Sequence, residues 1–140
     1  MNDLNIKNII VTGGSHGIGF EISKHLASLN YRMIIISRTK KELANSCIKL
    51  DKLNNYKNYY LALDVSNLNN LKDLRNFLIK EKIEIDGLVN CAGVYGPIGN
   101  TLDLELKDFQ DAFNINFFGT LNMIHTTNDF FKDKIKKKII

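Results

Sequence analysis

A cluster of glycines marks the part of the sequence most suited to holding a phosphorylated ligand. The stretch "VTGGSHGIG", Val11 to Gly19, has glycine at positions 13, 14, 17 and 19. This density indicates a turn between a strand and a helix, where Gly13 can take a backbone angle closed to other residues. Gly17 leaves the backbone open to a ligand, and Gly19 lets the helix lie close to the strand. The first helical N–H groups would then face the turn, which favours pyrophosphate.

The glycine turn alone leaves three other interpretations open. A P-loop has the spacing of Gly14 and Gly19, but Phe20 and Glu21 stand where that motif needs Lys and Ser or Thr. A methyltransferase also uses a glycine turn on a similar sheet. The turn could also be purely structural and bind nothing.

Short apolar runs alternate with helical periodicity along the chain, which predicts βαβ units. Ile18, Ile22, Leu26 and Leu29 recur at helical spacing after the glycine turn. Further helices are predicted over "KKELANSCIKLDKL", with Leu43, Cys47 and Leu50 on one face, over a segment with Leu71, Leu74 and Leu78 that Ser66 caps, and from about Leu104 to Phe131. The predicted strands are "NIIVTGG", "RMIIIS", "YYLALDV", "IDGLVNCAG" and the beginning of a fifth, "KKKII".

This order predicts an α/β fold: a Rossmann-like, doubly wound parallel sheet that is incomplete at its carboxyl-terminal side. The 140 residues favour one domain, so we expect a partial nucleotide-binding domain over residues 1–140. Ligands of such sheets bind beyond the carboxyl ends of the strands, and both the glycine turn and Gly93 follow predicted strands.

Composition and charge argue against several other classes of protein. The hydrophobic fraction is 44% and the charged fraction 24%, as in an ordinary globular protein. The net charge of +4 resides in the last nine residues, "KDKIKKKII", so no extended basic face for nucleic acid is expected. No apolar run reaches the roughly 18 residues of a membrane span. Cys47 and Cys91 are too few for a disulfide framework or a zinc site, and we interpret both as small buried groups in a cytoplasmic protein.

Four motifs in order make the sequence similar to the short-chain dehydrogenase/reductase family. "TGGSHGIG" resembles the TGxxxGIG cofactor motif, and Asp64-Val65 matches the position of the family's adenine contact. "NCAG" at 90–93 resembles NNAG, with Cys91 in place of the second Asn, and "NINFFG" resembles the helix that carries a catalytic Asn, here Asn116. The resemblance covers essentially the whole chain, as its amino-terminal, cofactor-binding portion.

The resemblance implies an NAD(P)-dependent oxidoreductase that transfers hydride between the nicotinamide and a carbonyl or alcohol substrate. It implies a catalytic role for Asn116 and no metal site. The implied cofactor-binding residues are Thr12, Gly13, Ser15, His16, Gly17, Ile18, Gly19, Ser37, Arg38, Asp64, Val65, Asn90, Ala92 and Gly93.

The end of the second strand favours NADP(H) over NAD(H). NAD-binding proteins usually have a carboxylate there that holds the ribose hydroxyls, but this chain has Ser37 followed by Arg38. A guanidinium would attract the extra phosphate of NADP, and His16, just before the middle glycine, matches a position where the family often has a helping basic residue.

The family's proton-transfer residues have no match here. No tyrosine is followed four residues later by a lysine, and the family's Ser follows the fifth strand, where this sequence stops. We therefore expect the 140-residue chain alone to be inactive, with a non-catalytic nucleotide-binding or partner-binding module as the alternative. The family also implies a homo-oligomer through the helix at about 104–131; the small-molecule substrate cannot be read from the sequence.

Overall fold

Five parallel strands form the centre of the structure, a computed structural model that describes residues 6–140. The strands are β1 (Asn8–Thr12), β2 (Arg32–Ser37), β3 (Tyr59–Ala62), β4 (Gly87–Asn90) and β5 (Lys138–Ile139). Their spatial order is β3-β2-β1-β4-β5, so the chain crosses over where β1 lies beside β4. The predicted Rossmann-like parallel sheet is confirmed.

Helices cover the sheet on both faces. They are α1 (Gly17–Ser28), α2 (Lys40–Leu50), α3 (Leu68–Lys80), α4 (Leu106–Phe113) and α5 (Gly119–Thr127). Alternate residues of β2 point to opposite faces: Ile34 and Ile36 join the cluster under α3 and α5, whereas Met33 and Ile35 join the cluster under α1 and α2. Burial on both faces explains why the strand is a continuous apolar run instead of an alternating one.

Several predicted elements are shorter in the structure than in the sequence pattern. The strand predicted over "YYLALDV" ends at Ala62, and that predicted over "IDGLVNCAG" spans only Gly87–Asn90. The helix with Leu71 begins after Asn67, whose side chain accepts from the N–H groups of Asn69 and Asn70. The prediction that Ser66 caps this helix is therefore wrong, because its hydroxyl donates to Asp64 Oδ1 at 2.6 Å.

Small residues form the side of α1 that packs on the sheet. Gly19, Ser23 and Ala27 are buried, whereas Ile18 is 77% exposed and Leu29 is 57% exposed. A helix that presents small residues can approach a sheet closely, and this places its first turn beside the glycine turn. Of the apolar repeat, Ile22 and Leu26 are half-buried and pack against the core, so the sequence indicated the helix and part of the face that it buries.

The long helix predicted from about Leu104 to Phe131 extends from Leu106 to Thr127 and contains one widened turn. A π-helical segment, Asn114–Phe118, joins α4 to α5, and a 3₁₀ turn, Asn128–Phe130, follows. Single π-helical turns within α-helices are frequent at functional sites. Directly after this widened turn, Gly119 packs against Val65, which follows β3.

We predict that Gly119→Ala destabilises the protein although alanine favours helices. A Cβ at this position would lie 2.6 Å from Val65 Cγ2 and 3.3 Å from Val65 Cβ. Overpacking of this kind costs about 1–3 kcal/mol, which exceeds the gain of up to about 1 kcal/mol in helix propensity. Urea unfolding should therefore show a lower free energy of unfolding than in the parent chain.

Gly96→Ala is the matched control. A Cβ at Gly96 would meet only Ala112 Cβ, at an ordinary 3.9 Å. The free energy of unfolding of this variant should stay within about 0.5 kcal/mol of the parent value or rise slightly. Equal stability of the Gly119 variant and the parent would contradict the close packing against Val65.

Candidate nucleotide-binding site

A cavity of about 560 Å³ opens at the carboxyl ends of the strands. Its volume lies within the range of small-molecule sites, roughly 300–1,000 Å³. Twelve of the residues that the sequence predicted for a cofactor line it: Gly13, Ser15, His16, Gly17, Ile18, Gly19, Ser37, Arg38, Asp64, Val65, Ala92 and Gly93. The fold therefore brings residues from four separate strand ends to one cavity.

Three glycines shape the turn at the bottom of this cavity. Gly13 has φ of +66°, and a Cβ there would lie 2.7 Å from the Cys91 carbonyl oxygen. Gly17 has φ of +57°, and a Cβ there would meet no heavy atom within 4 Å, so its backbone faces open space. At Gly19 a Cβ would lie 2.5 Å from the Gly13 carbonyl oxygen, which requires glycine for the close approach of α1.

Hydrogen bonds hold the glycine turn against its neighbours. The N–H of Gly14 donates to the carbonyl of Ile36 at 3.2 Å, which joins the turn to β2. The hydroxyl of Ser46 donates to the Ser15 carbonyl at 2.8 Å, which joins it to α2. Helix α1 then begins after His16, whose side chain makes no capping hydrogen bond. The first N–H groups of a helix have no acceptor within the helix, so these groups stay available to a ligand.

Ser37 and Arg38 lie on the rim of the cavity at the end of β2. Arg38 is exposed, and within residues 6–140 no carboxylate forms an ion pair with it. Ser37 Oγ is buried and has no hydrogen-bond partner in the described chain. Because buried polar atoms are nearly always hydrogen-bonded in native proteins, the Ser37 hydroxyl is suited to a polar group of a ligand.

Asp64 stabilises the turn after β3 and also lines the cavity. Its Oδ1 accepts from the N–H of Ser66 at 2.9 Å and from the hydroxyl of Ser66 at 2.6 Å. The carboxylate thereby fixes the turn that follows β3, while the residue still borders the cavity.

Thr12 and Asn90 do not line the cavity, although the resemblance implied both as cofactor-binding residues. Thr12 Oγ1 accepts from the N–H groups of Cys91 and Ala92 at 3.1 and 3.0 Å, so it holds the end of β4 beside the glycine turn. Asn90 Nδ2 lies 3.4 Å from the Ile140 carbonyl and faces β5. Both residues thus support neighbouring strands beside the cavity.

Asn116 lies in the widened turn and forms two hydrogen bonds with one residue. Its Oδ1 accepts from the Val94 N–H at 2.8 Å, and its Nδ2 donates to the Val94 carbonyl at 2.9 Å. This pairing uses both ends of the amide and ties the long helix to the chain after β4. Both hydrogen bonds form although the residue as a whole is exposed.

Other cavity-lining residues were not singled out by sequence reasoning. Cys91 lines the cavity and is only partly buried, which corrects its interpretation as a buried group; Cys47 is buried, as expected. Thr39 and Glu42 also border the cavity. Thr39 and Glu42 follow closely after Arg38, so nearness in sequence was the one signal that could have indicated them.

In the described part of the chain, no helix is both long and apolar enough to cross a bilayer. Within the same residues, no group of three or more His, Cys, Asp or Glu side chains is arranged to hold a metal ion.

We predict that Asn116→Ala loosens the segment after β4. The variant leaves the N–H and the carbonyl of Val94 without their partner, which costs about 1–2 kcal/mol of unfolding free energy. Hydrogen exchange of the Val94 amide should accelerate about tenfold. Asn114→Ala is the control, since Asn114 is also exposed in the widened turn and has no side-chain hydrogen bond in the described chain. Identical exchange in both variants would exclude the tether.

The chain is similar to known proteins of one family. The family model described as short chain dehydrogenase matches residues 7–140. The chain is 33% identical over 135 residues to a diacetyl reductase, (S)-acetoin forming, of Staphylococcus epidermidis, which covers 96% of this chain and 52% of that protein. It is 28% identical to an NADP-dependent 3-hydroxy acid dehydrogenase of Schizosaccharomyces pombe, over 100% of this chain and 54% of that protein. The chain thus spans about half the length of these relatives.

Solved structures show the same fold. An alcohol dehydrogenase from the archaeon Thermococcus sibiricus, complexed with 5-hydroxy-NADP, superimposes with a TM-score of 0.86 at 23% identity, over 96% of this chain and 57% of that one. A short-chain type dehydrogenase/reductase from Mycobacterium ulcerans gives a TM-score of 0.81 over 89% of this chain and 46% of that one, at 22% identity. Together with the match of the family model, the four motifs and the glycine turn, these similarities show that the chain belongs to the short-chain dehydrogenase/reductase family.

Proposed function

We propose that this chain binds a nicotinamide dinucleotide, with NADP(H) preferred over NAD(H), as the cofactor-binding part of an oxidoreductase. The observation that carries the proposal is the single cavity in which the glycine turn, the start of α1, Arg38 and Asp64 meet. No simple phosphate ester needs a site that extends over four strand ends, whereas a nicotinamide dinucleotide has a pyrophosphate, two riboses, an adenine and a nicotinamide ring to place.

The residues present match the parts of such a ligand. The open backbone at Gly17 and the uncapped N–H groups of α1 suit the pyrophosphate. Among residues 6–140 the Ser37 hydroxyl has no hydrogen-bond partner and the Arg38 guanidinium has no ion pair, so they suit the adenosine ribose and a phosphate on it. Asp64 and Val65 would border the adenine. A bound cofactor of this kind supplies hydride to, or accepts it from, a carbonyl or alcohol carbon.

The role of Asn116 in this proposal is to hold the wall between cofactor and substrate. By bonding both backbone groups of Val94, it fixes the segment that carries Gly93 and Tyr95 along the cavity. These 140 residues contain no Tyr-x-x-x-Lys pair. We therefore propose that the chain alone binds a dinucleotide without turning over a substrate.

We also propose that the outer side of the long helix contacts a second copy. Several of its large apolar residues are exposed: Leu106, Phe109, Phe113, Phe117, Phe118 and Leu121. The rings of Phe113 and Phe117 stack with centroids 5.0 Å apart, so the aromatic groups form one continuous patch. The side of the helix that packs inward consists of Ala112, Gly119, Met123 and Thr127. Exposed apolar patches of this kind are typical of protein contact surfaces.

Replacement of Arg38 by Asp should reverse the cofactor preference. The parent chain is expected to bind NADP⁺ more tightly than NAD⁺ in calorimetric titration. In Arg38→Asp, the lost charge-assisted hydrogen bonds should weaken NADP⁺ binding about 10- to 100-fold, while NAD⁺ binding stays the same or improves. Lys52→Asp is the control, because Lys52 is exposed outside the cavity and the change in net charge is the same. Equal affinities that the Arg38 substitution leaves unchanged would refute the preference.

Alkylation of Cys91 should report where the dinucleotide binds. Cys91 lines the cavity and is only partly buried, so saturating NADP⁺ should slow the reaction of its thiol with N-ethylmaleimide about tenfold or more. Burial raises the pKa of Cys91, so the rate should increase with pH up to and beyond pH 8.5.

Cys47 is the internal control for the alkylation. It is buried away from the cavity, and burial, with a smaller contribution from Asp51, raises its pKa to about 11. Its slow labelling, followed by peptide mass, should not depend on NADP⁺. Unchanged labelling of Cys91 under conditions where calorimetry shows saturation would place the dinucleotide elsewhere.

A further inference from the structure

One carboxylate lies at the rim of the cavity beside the groups proposed to attract a phosphate. Glu42 is in the first turn of α2 and lines the cavity together with Arg38 and Thr39. Its side chain is 53% exposed. The sequence has Ser37 where NAD-binding proteins usually carry an acid, so Glu42 places a negative charge in the same region from the next helix.

Contacts with the glycine turn direct this carboxylate toward the cavity. Glu42 Oε2 lies 3.5 Å from Ser15 Oγ and 3.7 Å from His16 Nδ1. Ser15 is itself buried, its hydroxyl is 2.8 Å from His16 Nδ1, and its carbonyl accepts from Ser46 of the same helix. Helix α2 thus contacts the glycine turn through two of its residues, Glu42 and Ser46. The carboxylate of Glu42 is oriented toward the turn, although acidic residues at a helix start often point along the helix axis or into solvent.

We propose that Glu42 is a selectivity residue that limits the preference for a phosphorylated dinucleotide. Its negative charge repels the ribose phosphate that Arg38 attracts, and it has no corresponding effect on a ribose that carries only hydroxyls. The preference of the chain for NADP(H) over NAD(H) is then weaker than it would be if Arg38 acted without Glu42. This inference rests on the proposed function, because it concerns the same cavity.

The repulsion between the Glu42 carboxylate and the ribose phosphate should be modest, because both groups are exposed to solvent at the rim of the cavity. Charges several ångströms apart at a solvated surface interact weakly, and salt screens them further. We therefore expect removal of the Glu42 charge to tighten NADP⁺ binding about three- to tenfold at low ionic strength. The gain should shrink toward unity near 0.5 M NaCl, where the Debye length is only about 4 Å.

The test is calorimetric titration of the 140-residue chain and three variants with NADP⁺ and with NAD⁺. Glu42→Gln keeps the shape of the side chain and its capacity to accept from Ser15, but it removes the charge. Glu42→Asp keeps the charge and should retain the parent preference. Glu21→Gln removes one negative charge from exposed α1 outside the cavity, so it controls for net charge.

The proposal requires that only Glu42→Gln tightens NADP⁺ binding, with NAD⁺ binding changed less than twofold and with a gain that falls as salt is added. An unchanged NADP⁺ affinity, an equal gain in Glu21→Gln, or a gain that is indifferent to salt would overturn it. Weaker NAD⁺ binding with unchanged NADP⁺ binding would overturn it as well, since Glu42 would then be a ligand of the ribose hydroxyls.

These outcomes separate the inference from the proposed function. If the parent chain binds both dinucleotides and Glu42→Gln leaves their ratio unaltered, only the role of Glu42 is refuted. If the correctly folded parent chain binds neither dinucleotide, the proposed function is refuted and the role of Glu42 with it. Circular dichroism at 222 nm and the thermal unfolding midpoint establish that each chain is folded. If Glu42→Gln does not fold, Glu42→Ala replaces it under the same criteria.

Discussion

The close contact between the glycine turn and the start of α1 is the constraint on which the site depends. A single Cβ at Gly19 would lie 2.5 Å from the Gly13 carbonyl oxygen, and backbone atoms there cannot move without separating the helix from the sheet. Since the next buried positions of α1 are Ser23 and Ala27, the whole inner side of the helix is shaped for this approach. The helix can therefore direct its first N–H groups at the cavity while its flank packs on β1 and β2.

The crossover of the sheet determines which strand ends form the cavity. Because β1 lies between β2 and β4, the chain segments after these three strands diverge to opposite faces and leave a space between them. Thr12 accepts hydrogen bonds from Cys91 and Ala92 at this point and keeps the segments after β1 and β4 in register. Asn116 likewise accepts a hydrogen bond from the N–H of Val94, which lies further along the segment after β4. The cavity wall is thus held by side chains that need not touch a ligand themselves.

Charge on the cavity rim is mixed and not uniformly positive. Arg38 and His16 would favour a phosphate, whereas the Glu42 carboxylate borders the same cavity and lies 3.7 Å from His16 Nδ1. The inner surfaces of the sheet, by contrast, are almost entirely apolar, with Ile10, Ile34 and Leu88 on one face and Val11, Ile35 and Val89 on the other. Stability and ligand preference therefore depend on separate sets of residues, so that rim substitutions can change binding without disturbing the core.

The sequence by itself determined the order of strands and helices, the parallel sheet and the glycine turn, because these follow from local patterns: apolar runs, helical spacing and dense glycine. Most of the cavity lining could be named for the same reason, since motif residues directly follow strands. Tertiary structure alone decided that Thr12 braces the end of β4, that α1 buries small residues while Ile18 faces out, and that Glu42 reaches the glycine turn. Each of these depends on contacts between residues distant in sequence, such as Glu42 with Ser15 and Asn116 with Val94. Periodicity in the sequence indicates which residues belong to one helix or strand. The distance between two such elements is set only when their side chains pack against each other.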